Sequence, residues 1–285
     1  MRILLPPSEA KNPGGRGLPL ARRQRRQPIE DSREQVLRGL DRLLADAGQF
    51  DAARALLLPD SVAAAALADN RRVRTAPTMP ALDRYAGVVY DGLFLQPLSA
   101  AARAVANREL LIFSGLFGVL RGSDPVPAYR VPAKATLPGV GVLATFWRAR
   151  LDEVMAPLLD RGPLIDLRSG DYAAMWQPAA RGPVAGRLIS VRVLSPRPDG
   201  TLGVISFASK LAKGRLTAAL LERRALGQPV RTVADISAAW AVAGGADLIE
   251  HRTPQGHTLE LITATAAGPA GSIGSARAHS SSKLG

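Results

Sequence analysis

The sequence predicts a single α/β domain in which helices flank a mixed β-sheet. Two short apolar runs, 109–114 and 163–167, end in polar turn residues, as buried parallel strands do when they lead into loops. Longer segments with apolar residues at helical spacing lie around them, and such alternation is typical of α/β domains. We therefore expect one domain over 1–265. The Gly-, Ala- and Ser-rich remainder, 266–285, has no periodicity and predicts a disordered tail.

The predicted elements follow one another along the chain with turn residues between them. An apolar run at 2–6 predicts the first strand, which ends where Pro6 and Pro7 begin a loop. Val36 and the leucines that follow it lie at helical spacing and predict a helix over 29–47. The other predicted helices cover 60–68, 99–106, 140–159, 214–226 and 233–243, and the other predicted strands cover 109–114, 163–167, 188–194, 204–207 and 257–264.

Composition excludes several kinds of site. Cysteine is absent, so disulfides, thiolate nucleophiles, iron–sulfur clusters and Cys-based zinc sites are excluded. The three histidines, His251, His257 and His279, all lie near the C-terminal end, so we expect neither a metal site nor a cofactor. No apolar stretch is long enough to span a membrane, and the first apolar run is too short for a secretory signal. We therefore expect a cytoplasmic protein without a membrane partner.

The charge balance indicates a polyanionic partner. Lys and Arg total 37 against 24 Asp and Glu, which gives a formal net charge of +13. Such an excess favours nucleic acid first and an anionic membrane second. A GC-rich genome would explain why Arg outnumbers Lys, but it would not explain why basic residues outnumber acidic ones.

Polar residues follow the first predicted strand directly. Ser8, Glu9 and Lys11 place a hydroxyl, a carboxylate and an ammonium within four residues. Open α/β sheets bind ligands at the carboxyl ends of their strands, so these groups could accept a proton, orient a ligand or hold a phosphate. A capped turn with a local Glu–Lys pair explains the same residues.

A second segment combines aromatic and basic residues. Tyr85 and Tyr90 could stack on a nucleobase, and Arg84 could contact a phosphate. Tyrosines beside a Val-Val pair are equally well explained as core residues with an exposed hydroxyl.

A third segment begins where the predicted strand 109–114 ends. Ser114 and the two glycines that follow it would let backbone amides approach an anion closely. Arg121 and Arg130, further along the loop, would add cationic groups. The alternative is a glycine-bearing connection whose arginines face solvent.

Two further segments complete the set. Asp166 and Asp171 flank the end of a predicted strand, where one could be a general base or both could be N-caps. Lys210, Lys213 and Arg215 come just before or at the predicted start of a helix at 214. The positive end of the helix dipole would reinforce these cations, so this segment predicts a phosphate site.

Motifs in this order resemble the YaaA family of peroxide stress proteins: Leu-Pro-Pro-Ser-Glu-x-Lys, Arg-Tyr-x-Gly-x-x-Tyr-x-Gly-Leu, Ser-Gly-Leu-Phe-Gly-Val-Leu-Arg with Asp124 and Pro-x-Tyr-Arg, Phe146-Trp147, and Lys-x-x-Lys-Gly-Arg. The resemblance implies a cannon-like α/β fold with a positively charged cleft, DNA binding that includes non-duplex forms, and a role in the peroxide stress response. Carried over motif by motif, it implies these site residues: Ser8, Glu9, Lys11, Arg84, Tyr90, Ser114, Arg121, Tyr129, Arg130, Lys210, Lys213 and Arg215.

Two functional hypotheses follow. The first is a protein that binds DNA or another nucleic acid in a basic cleft during peroxide stress. The second is an enzyme acting on a nucleobase, nucleoside or nucleotide, with Ser8, Glu9 and Asp166 as catalytic residues. Both require that loops distant in the chain meet at one strand-end pocket.

Overall fold

A mixed β-sheet forms the centre of the fold. The computed structural model describes residues 1–22, 29–159, 162–179, 184, 186–253 and 256–263; the predicted tail at 266–285 lies outside them. The strands are β1 (Arg2–Leu5), β2 (Met79–Pro80), β3 (Leu110–Ser114), β4 (Gly118–Arg121), β5 (Pro125–Val126), β6 (Thr136–Leu137), β7 (Gly141–Val142), β8 (Leu164–Asp166), β9 (Leu188–Pro196), β10 (Leu202–Gly203), β11 (Gly245–Thr253) and β12 (Gly256–Thr263).

Helices account for much of the remaining described chain. They are α1 (Glu30–Asp46), α2 (Gln49–Ala55), α3 (Asp60–Arg71), α4 (Ala81–Arg84), α5 (Val88–Leu93), α6 (Ala100–Glu109), α7 (Leu143–Arg148), α8 (Leu151–Met155), α9 (Gly170–Ala173), α10 (Ser206–Ala225) and α11 (Val233–Val242). Within the described ranges, none of these helices combines the length and the hydropathy needed to cross a bilayer.

The main sheet has the strand order β11-β12-β9-β8-β1-β3-β4, and β10 pairs with β9 beside it. The five central strands, from β12 to β3, are parallel. The edge strands β4 and β11 are antiparallel to their neighbours. β3 and β8 are buried along their whole length, as expected where both faces of a parallel sheet are covered. The predicted α/β class with a mixed sheet is confirmed.

Most predicted elements are confirmed, and two are wrong. The predicted helix over 140–159 is replaced by β7, α7 and α8, because Gly139 and Gly141 have positive φ angles and delay the helix to Leu143. The predicted strand at 204–207 is also wrong, since α10 begins at Ser206 and Phe207 is exposed. The apolar residues there lead into the start of a helix rather than forming a strand.

Two glycines let α5 and α10 pack with their backbones in contact. A Cβ atom on Gly214 of α10 would overlap the carbonyl oxygen of Val89 and lie 2.6 Å from the Leu93 nitrogen. A Cβ atom on Gly92 of α5 would overlap the carbonyl oxygen of Leu211 in the same way. Because neither helix can yield without breaking its own hydrogen bonds, the contact fixes their relative position.

Replacing Gly214 with alanine should therefore destabilise the fold despite the better helix propensity of alanine. We expect Gly214→Ala to lower the free energy of unfolding by about 3 kcal/mol, the cost of overpacking against backbone atoms. Urea denaturation measures it. Gly170→Ala is the matched control, since a Cβ atom there has nothing within 4 Å. Equal stability of the two variants would contradict the close contact.

Candidate ligand site at the strand ends

The loops after β1, β3 and β8 lie together at one edge of the sheet. β1 pairs in parallel with β3 on one side and with β8 on the other. The chain thus passes from β3 to β8 across β1, and a change of direction of this kind opens a crevice at the carboxyl ends of the strands. The residues that could line this crevice are those that follow Leu5, Phe113 and Asp166.

A pocket of about 240 Å³ opens at this edge. Its polar walls come from Glu9, Arg130, Lys134, Asp171 and Tyr172, and its apolar walls include Leu57 and Pro132. Leu57 is 56% exposed and has a left-handed backbone with φ of 52°. An exposed leucine in that conformation carries a small strain, which is frequent at ligand-binding positions.

Glu9 makes long contacts with two side chains of the pocket. Its Oε2 lies 3.4 Å from the Arg130 Nε, and its Oε1 accepts a hydrogen bond of 3.3 Å from the Tyr172 hydroxyl. Both distances exceed those of strong charge-assisted hydrogen bonds, so the carboxylate retains capacity for a ligand donor. Glu9 is 40% exposed at its side chain, which makes that capacity accessible.

The backbone of Arg130 is held by a buried asparagine side chain. The fully buried Asn70 on α3 accepts a hydrogen bond from the Arg130 N–H at 2.8 Å and donates one to the Arg130 carbonyl at 3.0 Å. These two hydrogen bonds fix the backbone of Arg130 and leave its guanidinium group available at the pocket. In the same pocket, Lys134 and Asp171 form a 2.9 Å ion pair, and both side chains are exposed.

Lys11 lies beside the pocket in a partly buried position. Its Nζ donates a 2.8 Å hydrogen bond to the Ser8 carbonyl and sits 4.2 Å from the centre of the Tyr129 ring. The pKa of Lys11 is lowered to about 7: desolvation is the largest cause, the charge of Glu9 opposes it, and the charges of Arg130 and Arg84 add to it. A lysine of this kind is partly neutral near pH 7 and can act as a base or a nucleophile.

Three buried hydroxyl groups form a chain underneath Lys11. The Tyr129 hydroxyl lies 2.6 Å from the Tyr85 hydroxyl and 2.6 Å from the Ser114 Oγ, which accepts the Phe117 N–H at 3.1 Å. Burial raises the pKa of Tyr85 and of Tyr129, so both phenols stay protonated. These hydrogen bonds satisfy the buried hydroxyl groups and hold the Tyr129 ring in place against Lys11.

Lys213 and Asp166 stand at the end of β8. The carboxylate of Asp166 accepts from Arg168 Nε at 2.9 Å and from its Nη2 at 2.7 Å, in a buried pair, so the general-base role predicted for Asp166 does not fit. The Lys213 ammonium donates to the Leu167 carbonyl at 3.1 Å. Desolvation lowers the pKa of Lys213, while the charge of Asp166 raises it.

Several predicted site residues are structural instead. Arg84 is fully buried and donates to the carbonyls of Val126, Asn12, Gly14 and Pro77, which leaves no guanidinium face for a phosphate.

The tyrosine and serine predicted with it are also buried. Tyr90 donates to the Pro6 carbonyl, and Ser114 is fully buried in the hydroxyl chain. A Cβ atom on Gly115 would lie 2.5 Å from the Val131 carbonyl oxygen, so another loop covers the predicted anion-binding turn.

Three predicted cations lie elsewhere. Arg121 pairs with Leu111, toward the amino end of β3 and away from the strand ends. Lys210 and Arg215 lie within α10 rather than at its start, because the helix begins at Ser206. Lys210 is exposed, and Arg215 lines a separate pocket. The structure thus brings together Glu9, Lys11, Tyr129 and Arg130.

Ser8 stands next to this group. Within the described ranges its hydroxyl has no hydrogen-bond partner, and a Cβ atom on Gly87 would lie 2.7 Å from it. Its carbonyl holds Lys11. The described residues contain no group of three or more His, Asp and Glu side chains able to hold a metal ion.

Sequence reasoning missed Asn70 and Lys134 and gave Tyr172 no role. Tyr172 follows Asp171 directly after the predicted strand 163–167, and this position is the signal in the sequence that could identify it. Asn70 and Lys134 reach the site from α3 and from the loop before β6, and nothing in their local sequence indicates it.

Comparison with known proteins assigns the family. The sequence model described as peroxide stress protein YaaA matches residues 1–238. The chain belongs to the YaaA family. A UPF0246 protein of Streptomyces coelicolor is 42% identical over 222 residues, covering 78% of this chain and 83% of the relative. UPF0246 proteins of Corynebacterium efficiens and Corynebacterium glutamicum are 37% and 35% identical, each covering 92% of this chain and the whole relative.

The low pKa of Lys11 is directly measurable in this YaaA-family chain. After reductive ¹³C-methylation, we expect the Lys11 resonance to titrate near pH 7, well below the ordinary lysine value of 10.5. Since the unfolded chain binds this proton more tightly, folding stability should also rise between about pH 7 and the ordinary lysine value of 10.5. Lys11→Met assigns the resonance and should flatten that rise. A Lys11 midpoint near the ordinary lysine value of 10.5 would contradict the desolvated site.

Proposed function

We propose that the strand-end pocket binds a nucleobase-bearing ligand, a nucleoside or nucleotide, and that Glu9 and Lys11 supply acid–base groups for a reaction on it. The observation that carries the proposal is the position of the Glu9 carboxylate, in loose contact with Arg130 and Tyr172 at the pocket and two residues from Lys11.

The size of the pocket supports a ligand of one nucleotide unit. Its volume of about 240 Å³ lies just below the usual range for ligand sites, about 300–1,000 Å³, which favours a single heterocycle with its sugar over an extended chain. The pocket is walled by Leu57, Pro132 and the ring of Tyr172, which suit a flat apolar face.

The charges of the pocket also favour a nucleobase over a phosphate chain. Arg130 and Lys134 face Glu9 and Asp171 in two ion pairs, so the lining offers donors and acceptors in equal measure. The edges of nucleobases and the hydroxyls of sugars use both kinds of partner. A pocket built only for phosphate would not place two carboxylates in its wall.

Lys11 suits proton transfer because its environment resists its charge. The ammonium is desolvated, has Arg130 and Arg84 nearby, and contacts carbonyl oxygens rather than a carboxylate. A neutral amine therefore forms at moderate pH, the range in which general bases are most effective.

A second function, nucleic-acid binding in the cytoplasm during peroxide stress, is supported by a separate observation. The net charge of +13 far exceeds what the balanced pocket uses, so most of the basic excess lies outside it. In this view the surface holds the backbone of DNA, and the pocket receives one unpaired nucleotide.

The ligand proposal is tested by thermal unfolding with the four common nucleosides and their 5′-monophosphates. At least one should raise the midpoint, because binding to the folded state alone stabilises it by about 2.7 kcal/mol at a hundredfold excess over Kd. Glu9→Gln should weaken that ligand at least tenfold, while Glu153→Gln, an exposed change on α8, should not. No shift with any of the eight compounds would refute the proposal.

The nucleic-acid proposal is tested by titrating a single-stranded oligonucleotide at several salt concentrations. We expect affinity to fall steeply from about 50 to 200 mM salt, as phosphate contacts release counterions. Arg130→Gln should reduce affinity more than Arg38→Gln, which removes an arginine already paired with Glu34. Affinity that is absent at low salt, or that does not change with salt, would exclude this function.

A further inference from the structure

A second pocket, distinct from the strand-end site, lies between α10, α11 and the loop after α5. Its volume is about 460 Å³, within the range of small-molecule sites. Apolar side chains make up most of its walls, and Leu95, Leu226 and Val242 are exposed by 55%, 74% and 81%. Three large apolar groups exposed around one concavity indicate a surface that is covered by something apolar.

One cation in this pocket, Arg215, has no partner among the residues that the structure describes. The Arg215 Nε is buried and makes no hydrogen bond, and its guanidinium forms no ion pair with any residue in the described part of the chain. A buried donor without an acceptor is unfavourable, so the fold retains Arg215 here without an internal reason.

The other charged groups of the pocket are already satisfied. Glu222 accepts hydrogen bonds of 2.8 Å from both the backbone N–H and the hydroxyl of Ser99, at the start of α6. Arg223 forms a 3.0 Å ion pair with Asp235 of α11. The buried hydrogen-bond donor that remains unused in the pocket is therefore the Nε of Arg215.

We infer that this second pocket, the Arg215 pocket, binds a monocarboxylate with a medium-length alkyl chain. The carboxylate would accept from the Arg215 guanidinium, which suits a planar two-oxygen acceptor, and the chain would cover Leu95, Leu226 and Val242. The apolar walls disfavour a phosphate chain, whose charges would lose their water there. This site is independent of the nucleobase proposal.

Two basic residues of α10 show that the two sites are separate. Lys213 reaches the Leu167 carbonyl at the strand ends, whereas Arg215, two residues further along α10, lines the second pocket. Residues two apart on a helix point in different directions, so the two basic residues serve different surfaces.

Isothermal titration with octanoate, below its micelle-forming concentration, tests the inference on the full chain. We expect saturable binding with one site per chain. Octanol and octylamine, which share the chain but lack the carboxylate, should bind at least tenfold more weakly. Arg215→Gln should weaken octanoate at least tenfold, and Arg215→Lys should lose less, because it keeps the charge.

A second variant separates loss of the site from loss of the fold. Ala238 is exposed and lines the pocket, so Ala238→Phe should fill the pocket and abolish octanoate binding without altering the thermal midpoint. Arg54→Gln, an exposed change on α2, should bind octanoate as the parent does. Absence of octanoate binding would overturn the inference. Equal affinity for octanol, or no effect of Ala238→Phe, would also overturn it and would leave an apolar surface for a protein partner.

Discussion

The parallel pairing of β1 between β3 and β8 is the constraint on which the candidate site depends. Because the three strands run in one direction, the loops that follow them must leave at the same edge of the sheet. That geometry places Glu9 near Tyr172, which is more than 160 residues away along the chain. If β1 ran in the opposite direction, the Glu9 carboxylate would lie at the other end of the strands, away from Arg130 and Tyr172.

The site rests on a support that is polar yet fully bonded. Tyr85, Tyr129 and Ser114 share a chain of hydroxyl contacts, and Asn70 fixes the backbone of Arg130 on both sides. Buried groups of this kind stabilise a fold only when all are satisfied, and here they are. Glu9 and Lys11, the two groups proposed to react, are held by contacts that leave the carboxylate able to bind a further donor and the amine without a carboxylate hydrogen-bonded to it.

The sequence could predict the fold class and where the site lies, but not which side chains enter it. Short apolar runs that end in polar residues identify β1, β3 and β8, and Glu9 and Lys11 follow from position alone. Arg84 and Arg130 look alike in sequence, and only tertiary packing buries the first against carbonyls and leaves the second at the pocket. The start of α10 was misplaced because Val204 and Phe207 suggest a strand, although both are exposed.

The backbone contact between α5 and α10 has a mechanical consequence. At Gly92 and Gly214 the backbones of α5 and α10 are in direct contact, with no side chains between them. This contact fixes the position of α10 next to Lys213 and Arg215. Any axial displacement of this helix would carry the Lys213 ammonium away from the Leu167 carbonyl and shift the Arg215 guanidinium by the same amount. The Lys213 contact at the end of β8 and the Arg215 pocket therefore both depend on the position of one helix, so a shift of α10 would alter the two together.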